Sequence, residues 1–133
     1  MAKIHLRSEI LFRAPTRVGL LADVTERLFA KDVNILGIRA YEENETGVFL
    51  IYADDSRAAS EALEPLGGKI TTTQVISAEV PNRPGQLATI ASTLANADIN
   101  ILEVHATATD APTVEIVLQT ADDVRAIDLL QEL

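Results

Sequence analysis

The chain has no cysteine and no tryptophan, and only one methionine among its 133 residues. Disulfides, thiolate nucleophiles and Cys-ligated zinc or iron–sulfur centres are excluded together. Basic residues are also few, eleven Lys and Arg against twenty Asp and Glu, for a formal net charge of −9. Such a surface repels a phosphate backbone and an anionic lipid headgroup alike, so neither nucleic acid nor membrane is an expected partner. Aromatics are limited to Phe12, Phe29, Tyr41, Phe49 and Tyr52, with none in the C-terminal half. Stacking of RNA bases on a sheet needs more. No segment offers the roughly 18 uninterrupted apolar residues of a membrane span. The start, Met1-Ala2-Lys3-Ile4-His5, lacks the apolar stretch of a secretion signal. A cytoplasmic location is expected.

Catalytic patterns are missing too. The sequence contains no Ser-His-Asp set, no Gly-rich P-loop and no GxGxxG motif. Its two histidines, His5 and His105, have Glu9 and Glu103 nearby in sequence but no second histidine at ligand spacing. Glu42-Glu43 and Asp54-Asp55 fall in turns or helix starts, where solvation or capping explains a carboxylate without acid–base work. The expectation is a protein that is not an enzyme, with no cofactor and no metal.

What is present is 47% hydrophobic residue in a length suited to one ordinary domain or two very small ones. A shift of 66 residues lays the chain on itself. Pro15-Thr16-Arg17-Val18-Gly19-Leu20-Leu21-Ala22 meets Pro81-Asn82-Arg83-Pro84-Gly85-Gln86-Leu87-Ala88, and Asp32-Val33-Asn34-Ile35-Leu36 meets Asp98-Ile99-Asn100-Ile101-Leu102. Val48 meets Val114 at the same shift. Eleven of the 26 pairs between positions 15 and 40 are identical, where composition alone supplies roughly two. The pattern predicts a tandem duplication.

Within each copy the order of elements can be read. Ile4, Leu6, Ile10 and Phe12 alternate with polar residues, as in a strand covered on one face. Leu21, Val24, Thr25 and Leu28, with Leu87, Ile90, Ala91 and Leu94 in the second copy, recur at helical spacing. Asp32 and Asp98 tolerate the left-handed conformation common at a helix exit. Val33 to Tyr41 and Val48 to Ala53 read as a hairpin around a polar turn. Ser56 and Asp122 are candidate caps for a last helix, bearing Ala59, Ala62, Leu63 and Leu66 in one copy and Val124, Ile127 and Leu130 in the other. Gly67-Gly68 stops the first of these. The expected fold is α+β: two ferredoxin-like βαββαβ units packed together, residues 1–72 and 73–133, each an antiparallel sheet with helices on one face. The chain ends before any closing strand of the second unit. A sheet edge is therefore expected to be covered by strand sharing or by a second subunit.

At Asn82-Arg83-Pro84-Gly85-Gln86-Leu87, with Asn100-Ile101 following 13 residues later, the sequence resembles the ACT-domain family, and the resemblance extends over both copies as a tandem, stand-alone regulatory ACT protein. It implies a module that binds a free amino acid or related metabolite at an interface between ACT units and acts on a partner enzyme of amino-acid metabolism. The ligand-binding positions it implies are Asn82, Pro84, Gly85, Gln86, Leu87, Asn100 and Ile101 in the second unit. Thr16, Gly19, Leu20, Leu21, Asn34 and Ile35 are their counterparts in the first, where Val18 replaces the proline. Physical reasoning reaches the same positions. A glycine where a strand turns into a helix lets a ligand approach the unpaired amides of the first turn. Those amides and the helix dipole favour a carboxylate, and an Asn carboxamide can meet carboxylate or ammonium. The expected function is non-catalytic amino-acid binding by a homodimer; the alternative is a pure dimerisation or interaction module with a vestigial pocket.

Overall fold

The computed structural model describes residues 2–133. Chain order is β1 (Lys3–Pro15), α1 (Leu20–Ala30), β2 (Ile35–Glu43), β3 (Thr46–Ala53), α2 (Ser56–Leu63), a 3-10 turn (Glu64–Leu66), β4 (Lys69–Pro81), α3 (Gln86–Asn96), β5 (Ile101–Ala106), β6 (Thr113–Thr120) and α4 (Asp123–Leu130). The fold is α+β and antiparallel as expected, with strand order β2-β3-β1-β4-β6-β5. Two compact units divide it: Ser8–Thr73, and Gln74–Leu133 together with the N-terminal segment up to Arg7.

In the first unit the strand order is β2-β3-β1-β4, the fourth strand being the start of β4. Alternation puts Ile10, Phe12 and Ala14 of β1 into its core with Phe49, Ile51 and Ala53 of β3. Phe12 lies opposite Phe49 in the ladder, with ring centroids 5.9 Å apart and planes tilted by 49°. Helix α1 adds Leu20, Val24 and Leu28, and α2 adds Ala59, Ala62 and Leu63. Each large apolar side chain buried this fully stabilises the fold by roughly 1.5–3 kcal/mol. The α1 stripe thus begins one residue earlier than expected, at Leu20, and Leu21 points outward at 52% exposure. Gly67 ends the helical segment in the left-handed region, φ +75°. A Cβ on Gly68 would collide with the Arg13 carbonyl and the Phe12 ring, so only glycine fits there.

The second unit has the order β1-β4-β6-β5. The place of the closing strand, absent after α4, is taken by Lys3–Arg7 of β1. Ile4 and Ala2 pack against a core of Ile76, Ala78, Val80, Ile90, Leu94, Ile116, Leu118, Ala126 and Leu130. The Ala2 amide donates to the Leu133 carbonyl at 3.3 Å. Leu87 and Val124, expected in helix stripes, are exposed, while Ile90, Leu94, Ala126 and Leu130 are buried.

Helix exits are alike in the two units. Asp32 (φ +56°) and Asp98 (φ +59°) both adopt the left-handed conformation expected of them. Val33 N–H reaches back to Leu28 C=O at 3.0 Å and Ile99 N–H to Leu94 C=O at 2.9 Å, while Asp32 and Asp98 N–H meet Phe29 and Ala95 C=O. This is the Schellman arrangement, closed in each case by an apolar pair, Val33 with Leu28 and Ile99 with Leu94, in the core. Helix α4 is capped by Asp122 as expected, its side chain accepting from Arg125 N–H. Helix α2 is capped by Asp55, which accepts from Ala58 N–H, and not by Ser56, the first helical residue. Among the described residues no helix is long and apolar enough to cross a membrane.

Candidate functional site

Gly19 and Gly85 are the residues before α1 and α3, and both have φ near +90° (+89° and +93°). An L side chain rarely adopts that angle, and at Gly85 the need is conformational alone, since a Cβ there would meet nothing within 4 Å. Neither helix start has a side-chain cap. The intrahelical ladder begins with Asp23 N–H on Gly19 C=O at 3.0 Å and Thr89 N–H on Gly85 C=O at 2.9 Å. Amides before those positions have no carbonyl within the helix, and the dipole adds a partial positive charge around them.

In the first unit a shallow cavity of about 220 Å³ opens beside this helix start. Thr16, Arg17, Leu20 and Leu21 form one wall, and Tyr41 and Glu42 another. The Arg17 guanidinium pairs with the Asp23 carboxylate in the first turn of α1. Arg39 stands over the Tyr41 ring, 4.8 Å from its centroid. Cationic, acidic and aromatic groups thus meet beside the first turn of α1, where the Leu20 N–H is taken by the Arg17 carbonyl at 3.2 Å and the amides that follow lack an intrahelical carbonyl. Of the positions expected here, the fold gathers Thr16, Gly19, Leu20 and Leu21. Asn34 and Ile35 lie elsewhere: the eleven-residue α1 intervenes, about 16 Å at 1.5 Å per residue. Asn34 is exposed, its N–H donating to Asp54 Oδ1 at 3.0 Å and its carbonyl accepting from Asp54 N–H at 3.1 Å. Ile35 is half-buried against the core.

The second unit repeats the helix start with different neighbours. Asn82 does not face outward as a free carboxamide. Its Nδ2 donates to the Thr109 carbonyl at 2.7 Å and the Ala111 carbonyl at 2.9 Å, and its backbone N–H donates to Pro112 C=O at 2.9 Å. Pro84 and Leu87 are exposed. Gln86 lines a cavity of about 260 Å³ with Arg83, Thr89, Val80 and Ile90. Thr89 stands where α1 has Asp23, and its hydroxyl bonds the Gly85 carbonyl at 3.0 Å, so no carboxylate from that position neutralises Arg83. Asn100 is exposed at the far end of α3, its carbonyl accepting from Ala121 N–H at 2.9 Å, and Ile101 packs on the core.

Tyr41 and Glu42 were outside the set expected from sequence, as were Thr109, Ala111 and Pro112. The first two had a signal, an aromatic and an acid at the end of a strand leading into a polar turn. The other three act through backbone carbonyls, which no side-chain pattern reveals.

Residues 74–133 match the family model of the ACT domain. Among solved structures the chain is similar to the protein BT0572 from Bacteroides thetaiotaomicron, at 22% identity, covering 97% of this chain and 89% of that one with a TM-score of 0.88. It is also similar to the regulatory subunit of aspartate kinase from Thermus thermophilus, at 18% identity over 97% and 95% of the two chains, TM-score 0.63. The regulatory subunit of aspartate kinase from Thermus flavus gives 17% identity over 98% and 95%, TM-score 0.62. At these identities the likeness is one of fold. No curated protein matches the sequence.

Proposed function

We propose, from the match of residues 74–133 to the family model of the ACT domain, that the protein is a non-catalytic regulatory module, a tandem of ACT units that binds a free amino acid. The observation carrying this reading is the pair of uncapped, glycine-led helix starts, each bordered by polar side chains. A carboxylate suits the first-turn amides that lack an intrahelical carbonyl, and carboxamide or carboxylate groups nearby suit an ammonium. The tandem reading draws support from matching element order, left-handed glycines and left-handed aspartates in the two units. Fold likeness to regulatory subunits of aspartate kinase is consistent with control of an enzyme of amino-acid metabolism in the cytoplasm.

Asn34 and Asn100 enter such a site only from a different ACT unit, because a helix length separates each from the glycine of its own unit. We therefore place the complete site at an interface formed in a homodimer. With Lys3–Arg7 in the closing-strand position, the second unit needs no partner strand there. A different reason supports a homodimer: β2 and β5 are edge strands, and Leu36, Ile38, Leu102 and Val104 on them are 42–56% exposed.

The dimerisation-only alternative draws on two specific facts. Arg17 is already paired with Asp23, and both Nδ2 donors of Asn82 are already used. A thermal-shift screen against the twenty amino acids decides between them. Binding to the native state stabilises by RT ln(1 + [L]/Kd), about 2.7 kcal/mol at a hundredfold excess, which moves a small domain by several degrees. A concentration-dependent rise with at least one amino acid is expected; no rise with any at 10 mM leaves the interaction-module reading.

A further inference from the structure

We propose that the β5–β6 loop, residues 107–112, is a strap locked by Asn82, and that its release is what makes the second unit competent for an amino acid. The proposal rests on the reading above that this unit takes such a ligand. Three hydrogen bonds join one residue to the loop: Asn82 Nδ2 to Thr109 C=O and Ala111 C=O, and Asn82 N–H to Pro112 C=O. A carboxamide has two N–H donors, so a ligand carboxylate and the loop compete for the same atoms. All six loop residues are exposed. Within the loop, Ala111 N–H donates to Thr109 Oγ1 at 3.2 Å. With no side chain buried, little besides Asn82 resists its opening.

The first unit isolates the part Asn82 plays. There Thr16 N–H makes the same kind of backbone bond, to Glu45 C=O at 2.9 Å. The hairpin it meets is closed by two residues, Asn44 and Glu45, and Thr16 carries a single short hydroxyl donor where Asn82 has the two N–H donors of a carboxamide. The backbone anchor is common to both units, while the side-chain lock belongs to the second alone. The two units are therefore unequal: the first has an open cavity beside its helix start, and the second has its polar group engaged by its own chain. A neutral hydrogen bond shifts an equilibrium by roughly two- to tenfold. Losing two side-chain bonds on ligand entry therefore weakens apparent affinity at this unit by about tenfold or more relative to an unlocked loop.

The test uses the full chain labelled with ¹⁵N, as wild type, as Asn82→Ala, and as a variant in which residues 109–113 are replaced by Asn-Gly to imitate the first hairpin. In the absence of added ligand, Asn82→Ala should drop the backbone order parameters of the loop from near the rigid value of about 0.85 to below about 0.6. A loop as ordered as in the wild type overturns the lock. An equimolar mixture of the twenty amino acids is then titrated. Loosening of the loop and a shift of the Asn82 Nδ2 resonance in the wild type, with half-saturation about tenfold lower in the shortened variant, support the strap. Binding that leaves the loop and Nδ2 unchanged, or equal half-saturation in both, overturns it. A loop freed by Asn82→Ala together with no response to the mixture in any variant keeps the lock and removes the amino-acid reading instead. If the shortened variant does not fold, the Asn82→Ala loop and the wild-type titration still decide.

Discussion

Glu45 shows how far one residue can be read from sequence. The polar stretch around it announced a turn, yet nothing local announced that both central residues, Asn44 (φ +50°) and Glu45 (φ +64°), would be left-handed. That is the two-residue hairpin turn whose hand matches strand twist, and it prefers Asn-Gly. Asn44 complies; Glu45 adopts a conformation that costs an ordinary L residue roughly 1–2 kcal/mol. Glycine at 45 removes that strain but loses more chain entropy on folding, by about 0.5–1 kcal/mol. The Thr16 N–H bond is to the Glu45 backbone carbonyl and survives the change. Glu45→Gly should therefore gain up to about 1 kcal/mol in urea denaturation. A loss of stability would show that the Glu45 side chain contributes more than its strain. The site followed the same division. Gly19 and Gly85 were legible as turn positions because their left-handed conformation is a property of residue type, whereas the loop bonds of Asn82 were not, because their acceptors are main-chain atoms.

At the scale of elements, the two units keep one offset up to the hairpin and an offset larger by one residue beyond it, and that change explains several differences between expectation and structure. An offset of 66 relates the left-handed glycines at 19 and 85 and the left-handed aspartates at 32 and 98. Beyond the hairpin the buried residues repeat at 67: Phe49 with Ile116, Ile51 with Leu118, Ala59 with Ala126, Leu63 with Leu130. The offset changes in the β5–β6 loop, so Val48 and Val114 do not occupy corresponding places in the two units. The change also accounts for Ser56, which is 66 before the true cap Asp122, whereas Asp55 is 67 before it. Replacing an N-cap aspartate by alanine costs about 1 kcal/mol, so Asp55→Ala should lower stability by that amount and Ser56→Ala by only a few tenths. Equal losses on chemical denaturation would contradict the assignment. The closing strand was invisible for a different reason. Periodicity marked Ile4 and Leu6 as strand but carries no information about which sheet edge receives them. Because Ile4 packs on the second core, Ile4→Ser should destabilise by roughly 1–2 kcal/mol. Amide exchange should accelerate in β4 to β6 of the second unit more than in residues 8–73; faster exchange confined to the first unit would contradict the placement.

For the whole molecule, two opposing forces act on self-association, and their balance is measurable. Each copy carries a formal charge of −9, so two copies repel at low ionic strength, where the screening length is about 30 Å at 0.01 M. Against this stand the edge strands. Ile38 pairs with Ile51 and Val104 with Leu118, so both share a sheet face with core residues, yet they remain 44% and 42% exposed. Apolar side chains on an edge with unpaired backbone groups invite pairing with another chain. Burying them contributes roughly 25 cal/mol per Å² whatever the salt, while the repulsion falls as the screening length shrinks to about 3 Å at 1 M. Dimerisation through these edges should therefore strengthen with added sodium chloride, the reverse of an association built on ion pairs. Light scattering on the 14.4 kDa chain should report a mass near twice that value at 0.5 M salt and a lower average at 0.01 M and micromolar concentration. Ile38→Lys and Val104→Lys separate edge from bulk charge. Each reduces the net negative charge, which by itself favours association, but places an ammonium at the proposed contact, which opposes it. Loss of the dimer in either variant at high salt locates the interface on that edge; a dimer unchanged in both, or a monomer at every salt concentration, removes the edge-mediated homodimer.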